Sequence, residues 1–249
     1  MAANGYRGGL PKYDFSFECI YRGALLILIP FLALSLGLLP PVALLVFVVE
    51  HLNLGNLLHV LFLCFLLVAL FVLLMFSETL VPAVFIKILR LRNDEGTYEL
   101  SMRDKAFFKF ALFNVLYQAP LKLVAPFRVM ILRRIIYRLS GMRLGRTSTL
   151  SGTEQIFDPF VTEVGEGTFI GGHAKIFGHV LEDRFIVRKV KIGDHCLIGG
   201  DCCIMPGAVI EDNVTVGIRS LVLKDQVLKK GGTYAGVPAK EIKKREAVP

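Results

Sequence analysis

From Gly23 to Val49 no position holds Asp, Glu, Lys or Arg, and a second uncharged stretch runs from Leu52 to Ser77. Each is long enough to cross a bilayer, whose hydrocarbon core takes about twenty apolar residues. Backbone groups in lipid must bond internally, so both are predicted helices. Pro30 and the pair Pro40, Pro41 interrupt the first run. Proline cannot donate to the helix ladder, so the pair predicts the end of the first helix and leaves Val42 to His51 as a re-entrant or interfacial piece. From Met102 to Ser140 the pattern changes: Phe107, Phe108, Phe110, Phe113, Leu116, Leu123, Phe127, Ile131 and Ile135 are interspersed with Lys and Arg. That suits helices lying at the membrane surface, and it suits equally a collar packed over the following domain.

A third pattern begins at Leu144. Aliphatic residues recur every six positions at Leu144, Leu150 and Ile156, then, after a slip of two, at Val164, Ile170 and Ile176. The period returns through Ile192, Ile198, Ile204, Ile210, Val216 and Val222. Glycine follows six of these directly, at Gly145, Gly165, Gly171, Gly193, Gly199 and Gly217. Neither helical periodicity nor strand alternation produces such spacing; it predicts a triangular solenoid in which each hexad forms one short flat face. The fifth slot is mostly small: Ser148, Thr168, Ala174, Cys196, Cys202, Ala208, Val214, Ser220. Cys196 and Cys202 are thereby predicted as core-filling residues, and Cys203 falls in an outward slot.

Charge refines the picture of the first half. The net charge is +8, and Lys87, Arg90, Arg92, Lys105, Lys109, Lys122, Arg128, Arg133, Arg134 and Arg138 form a basic zone beside the apolar runs. The anionic inner leaflet fits that placement better than nucleic acid does. Arg7, Lys12 and Arg22 precede the first span and Lys87, Arg90 and Arg92 follow the second, so both flanks are expected in the cytoplasm, with two crossings preferred over three. No small-residue cleavage site follows the first apolar run, which reads as a retained anchor. Five cysteines without paired zinc spacing argue for reduced thiols.

The interval from Ile176 to Ile192 is not divisible by six, so a segment leaves the solenoid there. It opens with Gly178, His179, Val180, Leu181, Glu182, Asp183 and Arg184. Transfer of an acyl group from a thioester to a hydroxyl needs a base that titrates near neutrality, and histidine starts there. A neighbouring carboxylate, Glu182 or Asp183, would fix its tautomer. Loops on rigid scaffolds commonly carry active residues, which singles out His179 as candidate base. His173 and His195 invite a zinc reading, but ligands must converge at about 2 Å from one centre, and hexads place His173 and His179 on different faces. No metal is expected, and His173 and His195 read as outward-facing structural residues.

These hexads, together with the closing segment Gly236, Val237, Pro238, Ala239, Lys240, resemble the hexapeptide-repeat acyltransferase superfamily. The resemblance implies a left-handed parallel β-helix preceded by an α-helical membrane domain. With Tyr137, Arg138, Leu139, Ser140 and Gly141 ahead of the repeat, the chain is similar to the membrane-embedded C-terminal region of poly-lysine-synthetase-like peptide synthetases. Three segments follow: a transmembrane hairpin over 1–100, interfacial helices over 101–141, and a catalytic β-helix with its tail over 142–249. The resemblance implies acetyl-CoA or another acyl-CoA as donor, a homotrimer, and His179 as general base. It implies backbone approach to the cofactor at Gly199, Gly200 and Gly217 and phosphate contacts at Lys224 and Lys240; Leu223 departs from a small polar residue in soluble relatives. Each glycine serves equally as a turn residue, and Lys243, Lys244 and Arg245 read as a solvated basic tail. The expected protein is a multi-pass membrane acyltransferase with its catalytic domain in the cytoplasm, acting on a hydroxyl or amine of a membrane-associated acceptor. Membrane lipid and a peptide-synthetase or glycan-assembly partner are expected, and no nucleic acid. Two other readings stand beside it: a zinc enzyme resembling γ-carbonic anhydrases and a non-catalytic membrane assembly module.

Overall fold

The computed structural model describes residues 16–53 and 55–242. Arg7, Lys12, Lys243, Lys244 and Arg245 lie outside the described residues. Two long helices come first, α1 over Phe17–Val49 and α2 over Leu57–Ile88, capped by the side chains of Ser16 and Asn56. Outward aromatics such as Phe31 and Phe65 are strongly exposed on them. Contrary to the expectation from Pro40 and Pro41, α1 does not end there and Val42 to His51 forms no separate piece: the helix runs through all three prolines to Val49. A proline removes one donor from the ladder, whereas an irregular segment in lipid would expose several. Pro30, Ala33, Gly37 and Pro41 form the buried stripe of α1. The second helix also outruns its uncharged stretch and carries Glu78 into the hairpin, 6% exposed. A Cβ at Gly37 would stand 2.8 Å from the Glu78 carboxyl carbon, so the glycine leaves the space that this carboxyl occupies between the two helices.

Two further helices, α3 over Lys105–Val124 and α4 over Met130–Leu139, join across a short 3-10 turn, Ala125–Phe127. Asp104 starts α3 by accepting from the N–H groups of Ala106 and Phe107. Through Phe127 this is a third helix long and apolar enough to cross a membrane. Its apolar face is shared between the helical hairpin and the solenoid: Leu112, Phe113, Leu116 and Tyr117 are at most 1% exposed, α3 packs along α2 and α1, and the Tyr117 hydroxyl donates to the Ile156 carbonyl at 2.6 Å. α3 and α4 therefore sit between the helical hairpin and the first coils, in contact with both. Arg22 of α1 donates to the Met102 and Arg103 carbonyls, and Arg92 donates to the Leu139 carbonyl, tying the membrane hairpin to the collar.

From Arg143 onward the chain winds as a parallel β-helix of three sheets. Ile192 stands beside Ile210, and Ile198 beside Val216, one turn of three hexads later. Ile156, Ile176, Ile204 and Val222 form the third ladder in the same way. The inward ladder residues are all buried, as are the small fifth-slot residues beside them such as Ala208 and Val214, which explains the period: each side of the triangle is one hexad long and turns the same two slots toward the axis. Two ladders of glycine mark the corners. A Cβ at Gly171 would meet the backbone of Gly199 and Gly200, and one at Gly199 the backbone of Gly217 and Ile218, all below 3.0 Å.

The interruption between Ile176 and Ile192 is an antiparallel hairpin, His179–Leu181 against Phe185–Val187. Gly96–Tyr98, from the linker between α2 and α3, adds a third strand to it, a pairing the sequence pattern did not announce. Phe185 is fully buried at its centre, among Phe110, Val161 and Val187.

Cys196 and Cys202 fill the core as expected, with burial pushing both thiols up. We expect N-ethylmaleimide to leave both unmodified in the folded protein and to label both after denaturation, read by peptide mass spectrometry; native labelling would contradict the packed core.

Candidate active site

The site begins at the two-residue slip in the repeat. After Ile156 the chain makes a 3-10 turn over Pro159–Val161 before re-entering the solenoid. Asp158 opens that turn: its carbonyl accepts from the Val161 N–H and from the Thr162 hydroxyl. Its side chain is 0% exposed. One coil on, register sets Gln155 beside Lys175 and Ile156 beside Ile176, which brings Asp158 level with Gly178. The Gly178 N–H donates to Asp158 Oδ2 at 2.8 Å, and the same oxygen lies 2.6 Å from Nδ1 of His179. Asp158 Oδ1 has no hydrogen-bond partner among the described residues.

Aromatic rings wall the imidazole. Phe110 of α3 stands edge-on with ring centres 4.4 Å apart, and Phe185 and Phe177 lie at 6.1 and 6.4 Å. The histidine side chain is 14% exposed. With Nδ1 donating to the Asp158 carboxylate, Nε2 is the ring nitrogen left to accept.

The residues expected to orient His179 do not touch it. Glu182 and Asp183 are exposed in the turn of the hairpin, beyond the strand that carries the histidine. Turn residues point away from the side chains of the strands they join, so a spacing of three or four positions gives no contact. Glu182 instead accepts from Lys224 Nζ at 2.9 and 3.1 Å. Sequence reasoning missed Asp158; the signal that could have found it was the slip itself, since a second departure one coil earlier lies beside the first.

Gly199 and Gly217 sit in the coil stack: a Cβ at Gly217 would lie 2.9 Å from that of Ala235. Gly200 is less confined, with the Gly172 carbonyl 3.2 Å from the position of its Cβ. Lys240 is exposed on the last strand, Lys240–Glu241. His173 and His195 are exposed corner residues with φ of 58° and 53°. Among the described residues no three His, Cys, Asp or Glu side chains gather as a metal site.

Comparison with known proteins agrees with this architecture. Residues 189–217 match the model described as hexapeptide repeat of succinyl-transferase. A segment of 112 residues, 45% of this chain, is 26% identical to a Delta-poly-L-ornithine synthetase of Acinetobacter baumannii and covers 8% of that protein. Another of 108 residues, 42% of this chain, is 32% identical to YvoF of Bacillus subtilis, which is named as an acetyltransferase, and covers 62% of it. The matches thus span less than two thirds of either relative. A maltose O-acetyltransferase structure from Clostridium difficile aligns over 51% of this chain and 84% of its own, with 21% identity and a TM-score of 0.41. The resemblance read from the hexads holds: the coils carry the hexapeptide repeat, and their relatives include proteins named as an acetyltransferase and a poly-amino-acid synthetase.

The 2.6 Å contact predicts a far-downfield imidazole N–H proton resonance. It is expected to vanish in Asp158→Asn. It should vanish equally in Gly178→Ala, whose Cβ would stand 2.8 Å from that of Asp158 and 2.4 Å from a Val161 methyl. A resonance that survives both substitutions would refute the contact.

Proposed function

We propose that this protein is an acyl-CoA-dependent acyltransferase working at the cytoplasmic face of a membrane on a hydroxyl or amine of a membrane-associated acceptor. The observation that carries the reading is the His179–Asp158 pair at the point where the hexapeptide repeat is interrupted. In the reaction, Nε2 of His179 takes the proton of the acceptor as its oxygen or nitrogen attacks the thioester carbonyl. The tetrahedral intermediate collapses with loss of the CoA sulfur, which takes the proton back from the imidazolium. Asp158 holds the ring in one tautomer throughout.

The rest of the assignment follows that reading. Residues 1–100 serve as a two-crossing anchor, 101–141 as the collar, and 142–249 as a left-handed β-helix that works as a homotrimer. Acetyl-CoA or a longer acyl-CoA lies along the coils near Gly199, Gly200 and Gly217, with Lys240 free for its phosphates. Lys224, tied to Glu182, connects that side of the solenoid to the histidine hairpin. Anchoring enzyme and acceptor in one surface raises their effective concentration. The zinc-hydratase alternative is not favoured, since His173 and His195 occupy outward corners. Glu182 and Asp183, having no contact with His179, are not carried forward as catalytic residues.

The test is transfer of labelled acetyl from acetyl-CoA into membrane extract by the purified full chain. His179→Ala is expected to lower the rate by about 10² to 10⁴, the usual worth of a positioned base. Asp158→Asn should lower kcat with little change in KM for acetyl-CoA, and Asp183→Asn should change neither. Equal rates for wild type and His179→Ala would remove His179 as base and move the assembly-module reading ahead.

A further inference from the structure

The helical hairpin holds a carboxyl that the acyl-transfer chemistry does not use. Glu78 of α2 is 6% exposed, and its Oε2 is buried without a hydrogen-bond partner among the described residues. It faces Gly37 of α1: a Cβ there would stand 2.8 Å from the carboxyl carbon and from Oε1, and 2.9 Å from Oε2. Gly37 lies near the middle of the uncharged run of α1, about 21 Å from Gly23 and about 18 Å from Val49 at the usual helical rise of about 1.5 Å per residue.

The elements packed against this carboxyl supply no opposite charge. From Gly23 to Val49 α1 has no Asp, Glu, Lys, Arg or His, and α2 has none from Val60 to Ser77 or from Thr79 to Ile86. On α3, Lys105 and Lys109 line a hollow beside the linker with Arg92 and Asp94, Lys122 lines a cleft against the first coil, and Tyr117 bonds the Ile156 carbonyl. The arginines of α4 are spent on Glu154 and on carbonyls of the first coil. An unpaired carboxylate in so apolar a place costs far more than a neutral acid, so the group takes up a metal ion or a proton. Two features select the proton. The carboxyl atoms themselves fill the gap opposite Gly37, where a metal ion would have to stand. An acceptor for an O–H is also at hand, because Pro41 has no N–H and leaves the Gly37 carbonyl without its helix donor.

Resting on the two-crossing reading of this hairpin, we propose that Glu78 is an intramembrane proton-binding site, a neutral carboxylic acid whose O–H donates to the freed Gly37 carbonyl. The proton removes a charge that lipid would expel and supplies the donor that Pro41 withholds. Each residue then has its part: Gly37 permits the approach, Pro41 frees the acceptor and Glu78 carries the donor.

The experiment is labelling of the full chain in lipid vesicles with N,N′-dicyclohexylcarbodiimide, which adds a protonated carboxyl across one N=C bond and leaves a stable acylurea, read by peptide mass spectrometry. At about pH 7 an ordinary glutamate, with a pKa near 4.3, is protonated about 1 part in 500, so Glu78 should react about 10²-fold faster than the exposed Glu95. Its rate should hold steady from about pH 6 to about pH 8, where an ordinary carboxyl slows about tenfold per unit. Pro41→Ala returns a helix donor to the Gly37 carbonyl, and labelling of Glu78 in that chain should fall as pH rises. Glu78→Gln keeps an uncharged donor and should melt with the wild type, whereas Glu78→Ala should melt lower. Labelling of Glu78 no faster than Glu95, a wild-type rate that falls with pH, a Pro41→Ala rate that does not, protection by Na+, or a Glu78→Gln chain as destabilised as Glu78→Ala would each overturn the proposal. Cys64, exposed on α2 within its uncharged run, reads the crossing separately, since a water-soluble maleimide should spare it in vesicles. If it is spared while Glu78 fails these tests, the proton site falls and the crossing stands; if it is labelled while Glu78 reacts as expected, the crossing falls and the proton site belongs to a protein interior.

Discussion

Each coil of the solenoid sets an apolar side chain over the one beneath it, because a narrow triangular axis leaves a void or an unpaired polar group wherever that stack is broken. Strands lie about 4.8 Å apart in such a stack, so what one coil does at a corner is felt by the next. Any residues beyond the hexad count have to leave outward. The chain departs from the count twice, at the turn Pro159–Val161 and at the hairpin that starts with His179. Both departures follow the same face, one coil apart, because Ile156 and Ile176 are ladder partners. The stack thereby presses Asp158 against Gly178 and His179, and their contact is a product of register rather than of local sequence.

What keeps the pair dry comes from outside the solenoid. The strand Gly96–Tyr98 holds the far side of the hairpin, with Tyr98 opposite Phe185. Phe110 and Phe107 of α3 close over Phe185 and the imidazole. These contacts bury a carboxylate whose second oxygen has no partner among the described residues, a cost that the surrounding packing offsets and that raises the field the imidazole feels. The segment connecting the helical hairpin to the coils thus walls the candidate site, since α3 and the strand Gly96–Tyr98 enclose the histidine between them.

The helical hairpin obeys the same economy of backbone bonds. Three prolines sit inside α1 without ending it, since each removes a single donor from the ladder. Glu78 faces Gly37 where the two helices meet, its carboxyl set against the bare backbone of the neighbour.

The period of six, the apolar runs and the closing segment were enough to predict a triangular solenoid behind a helical anchor, because each is a one-dimensional pattern that a single packing constraint imposes on every repeat. The excursion that carries His179 was legible for the same reason, since it stands where the pattern stops. The histidine's partner was not. Glu182 and Asp183 are near it along the chain, but the hairpin turn carries them off, whereas Asp158 is 21 positions away and in contact. The collar's docking and the third strand from Gly96–Tyr98 were equally invisible, since amphipathicity shows that a face will be buried and does not say against what. By itself the sequence determined the repeat, its core and the place where it breaks. Which carboxylate meets the histidine was decided only by tertiary structure, because that contact is set by how coils stack across the axis, a distance the chain order does not record.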